Sequence, residues 1–131
     1  MWYNTRMKND TNDGINRENI TEAFTQTVKV APEWLGTHGL TCEIGDFTLS
    51  LQWHMGAYSD NRDLGCYGDS MYDVDLCDNF EIGVWETATR RWVPCSKYDD
   101  VAGWISWERL TAILEVVKRP ALHGALPYVC V

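Results

Sequence analysis

Gln52, His54, Asp73, Asp75 and Glu81 are the side chains of this sequence best suited to chemistry. They fall at alternating positions of period-two segments, so a sheet made from those segments would gather them on its polar side. One imidazole beside three carboxylates can bind a divalent cation or move a proton. The solvent face of any antiparallel sheet shows the same alternation of acids with apolar residues. Asp73-Val74-Asp75 is a spacing too common to specify a site. A metal-dependent enzyme centred on His54 is therefore carried as an alternative, behind a non-catalytic expectation.

The cysteines lead to a similar weighing. Cys42, Cys66, Cys77, Cys95 and Cys130 are odd in number and widely spaced, with no C-x-x-C pair. A disulfide framework wants an even count and an exported chain, so reduced thiols in a core are expected. Zinc held by Cys66 and Cys77 with Cys42, Cys95 or a histidine is the sharper alternative, but structural zinc sites use closely spaced ligand pairs. His38 and His123 each precede a glycine and read as surface-loop residues. The sequence contains no glycine-rich phosphate loop, no G-x-S-x-G elbow and no H-E-x-x-H, so no catalytic residue, metal or cofactor is expected.

The charge pattern is more distinctive. Between Asp60 and Glu81 seven carboxylates (Asp60, Asp63, Asp69, Asp73, Asp75, Asp78, Glu81) face a single base, Arg62, a net of −6 out of the formal −8 of the chain. Such a surface repels nucleic acid and membrane headgroups and favours a basic partner. From Arg90 onward the balance turns weakly positive, which would help to orient an encounter. Tyr58, Tyr67 and Tyr72 border the acidic stretch, and Tyr and Trp are the residue types that dominate binding hot spots. These ten residues form the expected partner-binding surface. Exposed aromatics could instead stack on a flat ligand, which makes a nucleotide-binding sponge a second alternative. Mimicry of nucleic acid, with carboxylates standing in for phosphates over a short distance, is a narrower form of the same partner-binding idea.

The elements needed to position these residues are legible in part. The 131 residues, 45% of them apolar and seven of them Trp, suit one domain with its own core. Residues 1–17 are polar and Asn-rich and read as a flexible arm, leaving 18–131 as the folded unit. Ile20, Ala23, Phe24, Thr27 and Val28 have helical spacing behind Asn16 and Asn19, and Pro32 stops them. Residues 32–36 read as one short turn of helix or a loop closed by Gly36. Residues 40–44 and 47–55 read as a hairpin about Gly45-Asp46, and residues 56–70 as a long loop. Alternation at 72–77 and 80–85 predicts two strands or one bulged strand, and a turn at 87–90 leads to a strand at 91–94 that sets Trp92 opposite Trp85.

Ser106 is a fitting cap for a helix ending near Arg119, with Trp107, Leu110, Ile113, Leu114 and Val117 as its apolar stripe and Pro120 as its stop. The apolar tail from Leu126 could add an edge strand able to pair across a two-fold axis in a homodimer. The expected fold is α+β: an antiparallel sheet of four or five strands, a C-terminal helix packed on one face and a short N-terminal helix. No apolar run is long enough to span a membrane and no secretion signal opens the chain, so a cytoplasmic protein is expected.

One resemblance bears on origin. The Tyr58-Ser-Asp60 loop, the strand Phe80-Glu-Ile-Gly-Val-Trp85, Arg91-Trp-Val93, and the run from Asp99 through Gly103-Trp104-Ile-Ser-Trp107-Glu108 into the last helix together resemble small proteins from the accessory regions of tailed-bacteriophage genomes. The likeness covers Tyr58 to Val117 and brings no catalytic signature. It implies a protein that works in the cytoplasm of a host bacterium by binding and disabling a host machine. The expected target is a defence or nucleic-acid-processing complex, protein or ribonucleoprotein, with a basic groove; anti-CRISPR and anti-restriction inhibitors are the type. Direct binding to nucleic acid or membrane is not expected at a pI near 4.7.

Overall fold

The computed structural model describes residues 15–64, 71–95 and 99–119. Its elements are α1 (Arg17–Thr27), β1 (Glu33–Leu35), β2 (Gly39–Ile44), β3 (Phe47–Gln52), a 3-10 turn (Asp60–Leu64), β4 (Asn79–Glu86), β5 (Trp92–Val93), β6 (Val101–Ser106) and α2 (Trp107–Val117). All the strands are antiparallel. They run in the order β1-β2-β3-β4, and β5 and β6 share the far edge of β4. β5 pairs with the Val84–Trp85 end of β4, and β6 with the Asn79–Gly83 end. The fold is α+β, as the sequence predicts.

The β2–β3 hairpin turns on Gly45, whose φ of +61° suits the first position of a two-residue hairpin turn. Its register aligns Leu40, Leu51 and Ile82 across three strands, and Cys42, Leu49 and Val84 beside them. That face joins one core cluster with Ile20, Phe24 and Val28 of the α1 region and Leu110, Ile113, Leu114 and Val117 of α2. Asn16 caps α1 by accepting the Asn19 N–H at 2.8 Å, and Ser106 caps α2 through the Arg109 N–H at 3.2 Å. Lys118 Nζ donates to the Thr27 carbonyl at 3.3 Å and ties the helix ends together. The opposite face carries Thr41, Glu43, Ser50, Gln52, Glu81 and Trp85, none of them in the core cluster.

Several expectations are corrected. Residues 72–77 form no strand. Their alternation arises because Val74 is buried and Leu76 half-buried at the core margin, while the backbone is held by side chains and turns. Residues 32–36, read as a turn of helix or a loop, contain β1, whose Trp34 pairs with Leu40. β3 ends at Gln52, short of Met55. The run before Ser106 is β6, a strand the period-two reading missed. Ile15, Asn16 and Arg17, assigned to a loose arm, belong to the start of the folded part: Ile15 packs against the core and Arg17 opens α1. The rest of the arm and the apolar tail lie outside the described residues. No helix among the described residues is long and apolar enough to cross a membrane.

Candidate functional site

Two segments leave the sheet between β3 and β4, residues 53–64 and 71–78, and they carry most of the acidic stretch. Trp53, Met55 and Val74 anchor them in the core, and individual hydrogen bonds hold the backbone between. Asn61 is buried, and its Nδ2 donates to the carbonyls of Trp53 at 2.7 Å and Asp75 at 2.9 Å. One amide thus staples both segments together. Asn79 Oδ1 accepts the Asp60 N–H at 2.7 Å, Glu81 Oε2 accepts the Tyr58 N–H at 3.1 Å, and Thr37 Oγ1 donates to the Tyr72 carbonyl at 3.2 Å. Met55 N–H bonds to the Met71 carbonyl at 3.1 Å. Below them Trp53, 1% exposed, packs edge-on against Trp34 and Phe80 and donates its Nε1–H to the Thr37 carbonyl at 2.6 Å.

On this frame Asp60, Asp73, Asp75 and Asp78 are exposed, and none has an ion-pair partner among the described residues. Asp63 lies in the 3-10 turn. Asp69 and Tyr67 lie outside the described residues. Glu81 is half-buried on β4 and occupied in holding Tyr58. Arg62, the one base of the stretch, gives its Nη1–H to the Gly56 carbonyl at 2.8 Å and sets its guanidinium carbon 4.7 Å from the Tyr58 ring centroid. Arg62 therefore pairs with none of these carboxylates among the described residues. Tyr58 and Tyr72 are 42% and 47% exposed, as interface anchors require.

The five residues proposed for chemistry do not assemble. Gln52 and Glu81 face each other across β3 and β4. Asp75 lines a separate groove of about 310 Å³ with Arg17, Trp34 and Trp53. No group of three His, Cys, Asp or Glu side chains that could hold a metal occurs among the described residues. In this groove the guanidinium of Arg17 lies over the Trp34 ring at 4.0 Å, and Trp53 is buried. Cys42 and Cys95 are buried and Cys77 is half-buried. Burial, with Glu43 adding to it, pushes the Cys42 thiol up to about 11, which makes it an inert core residue. Cys66 lies outside the described residues.

His54 has a structural position. Its Nδ1 accepts the Gly56 N–H at 3.0 Å, and its ring lies 5.1 Å from Tyr72 and 6.0 Å from His38, which is itself 4.9 Å from Tyr72. Burial lowers its pKa; Glu81 pulls it up and His38 adds to the lowering. The neutral ring, with its proton on Nε2, is the form that can accept from Gly56.

Trp104 is the feature sequence reasoning missed. Between Phe80 and Ile82 of β4 one residue intervenes, but between their partners Ile105 and Ala102 of β6 there are two. The extra residue makes a bulge at Gly103-Trp104 and throws Trp104 into the left-handed region at φ +49°. Trp104 is 51% exposed, and its ring packs at a tilt against that of Tyr58, with centroids 5.7 Å apart and planes at 31°. The Trp104 N–H donates to the Tyr58 carbonyl at 2.8 Å, and Gly103 has no Cβ because the Tyr58 Cβ occupies that space. A glycine inside a strand-like run was the available signal.

No protein-family model, curated protein sequence or solved structure matches the chain.

Proposed function

We propose that this chain is a non-enzymatic binding protein that occupies a basic groove of a host nucleic-acid-processing or defence complex, in the manner of anti-CRISPR and anti-restriction inhibitors. The observation that supports this reading is the set of exposed carboxylates Asp60, Asp73, Asp75 and Asp78, without ion pairs among the described residues, on the same two segments that carry the exposed Tyr58 and Tyr72. Enzymes that handle nucleic acid present basic grooves, and an acidic surface both steers toward such a groove and competes for it. The bacterial cytoplasm and the phage origin follow from the resemblance and belong to the same proposal.

The test is biological. Bacteria carrying a restriction or CRISPR system would express either the wild type or Asp73→Lys/Asp75→Lys, and the plating of a targeted phage would be counted. The wild type should restore plating against the sensitive system, and the doubly charge-reversed variant should not, while its thermal melt stays cooperative because both sites are exposed. Equal rescue by both proteins would remove the acidic surface from the mechanism. No rescue of any system tested would remove the inhibitor reading.

A further inference from the structure

We propose that the Trp104–Tyr58 pair is the anchor at which an arginine side chain of the basic partner docks. The inference rests on the acidic-surface reading above and deepens it, because it names the partner group that the surface selects. Three observations converge on it. The first is strain: Trp104 sits at φ +49°, a conformation that a bulky L-residue adopts only at a cost and that glycine takes freely. Strain of this kind persists where the surrounding structure enforces it, and it clusters at ligand clamps. Here it is enforced from both sides, by the Trp104 N–H to Tyr58 bond and by the close approach of Tyr58 to Gly103. Nothing in the core needs the indole, which is half exposed.

The second observation is that Tyr58 already accepts a guanidinium. Arg62 lies over its ring at 4.7 Å, and the same ring packs against the indole of Trp104. The third is charge. Asp60 is bonded through its N–H to Asn79, whose strand position pairs with Ser106, two residues from Trp104. Glu81 holds the backbone of Tyr58 itself. An exposed indole packed on a tyrosine whose backbone is held by a carboxylate, in a chain of net negative charge, attracts a cation both through its ring quadrupole and through the field. Arginine fits better than lysine because its flat guanidinium can stack and donate to a carboxylate at once. It is also the residue that lines phosphate-binding grooves. A nucleobase would stack equally well, but its phosphates would meet a chain of formal charge −8.

Labelled nona-arginine and nona-lysine peptides would be titrated with the protein by fluorescence anisotropy at about 0.15 M salt. Three proteins are compared: wild type, Trp104→Gly and Asp73→Lys/Asp75→Lys. Glycine suits the backbone at this position, so Trp104→Gly should melt cooperatively at or above the wild-type temperature, which separates a binding role from a structural one. The wild type should prefer arginine over lysine, and Trp104→Gly should lose roughly fivefold in arginine affinity with little change for lysine. The charge-reversed variant should weaken both peptides alike. If Trp104→Gly binds arginine as the wild type does, the anchor is wrong even where charge reversal weakens binding. If charge reversal changes nothing, the acidic-surface reading fails independently. Tight binding of a thymidine oligonucleotide, lost in Trp104→Gly, would overturn the arginine assignment in favour of a base.

Discussion

The two sides of this domain are held by different kinds of interaction. Where α1 and α2 cover the sheet, aligned rows of apolar residues from three strands meet two amphipathic helices, and many interchangeable contacts share the load. Where residues 53–64 and 71–78 leave the sheet, Trp53, Met55 and Val74 still reach the core, and the backbone between them is held by single groups: the Asn61 amide, the Asn79 carbonyl oxygen, the Glu81 carboxylate and the Thr37 hydroxyl. The first arrangement is tolerant in detail and fails globally. The second is exacting in detail and fails locally. A surface that presents charge relies on the second kind where its side chains face water, while Trp53, Met55 and Val74 reach the core beneath it.

The contrast is tested first at its extremes. Phe24→Ala, which empties a fully buried ring site between α1 and the sheet, should cost ~3–5 kcal/mol and lower the urea midpoint of the whole domain. Asn61→Ala leaves the Trp53 and Asp75 carbonyls without their donor at the margin of the core, for a cost of ~1–3 kcal/mol. The informative difference lies in where the loss falls. Amide exchange should accelerate around residues 55–62 and 71–76 in Asn61→Ala while β2, β3 and α2 keep wild-type protection. Uniform acceleration would show that the two sides form one cooperative unit.

The same contrast explains what the sequence disclosed. The hairpin, β4, α2 with its Ser106 cap and the Trp85–Trp92 pair (ring centroids 5.1 Å apart) are local patterns, each readable from spacing within a dozen residues. Asn61 is different. Its role depends on the Trp53 and Asp75 carbonyls converging on one amide, and they are 8 and 14 residues away in opposite directions. Period-two alternation at 72–77 misled for a related reason: a segment lying along the core margin buries every second side chain whether or not a neighbouring strand completes the ladder. The acidic residues were found by composition, which requires no contacts. Trp104 escaped because its value comes from a bulge, and the extra residue is visible only against the register of β4. The metal reading gathered His54 and three acids by assuming strands that do not all exist.

The smallest expected effect concerns His54, which sits where the two sides meet. Its ring faces His38 from the turn before β2, Tyr72 from the second acidic segment and Glu81 from β4, and its Nδ1 holds the Gly56 N–H. Burial lowers its pKa in the folded chain below the value of about 6.5 expected when unfolded. In the interval between those two values the unfolded chain binds a proton that the folded chain refuses, so stability falls as pH drops through the interval and levels off beneath it. His54→Asn should remove this slope yet keep the turn, because an Asn side-chain oxygen can accept the N–H two residues on. Urea midpoints between about pH 7.5 and pH 5 should therefore fall less steeply for His54→Asn than for the wild type. Identical slopes would show that the His54 imidazole contributes nothing to the pH dependence. A steeper slope in the variant would mean that the imidazole is held charged by Glu81, and the burial that defines this junction would have to be less complete than its packing indicates.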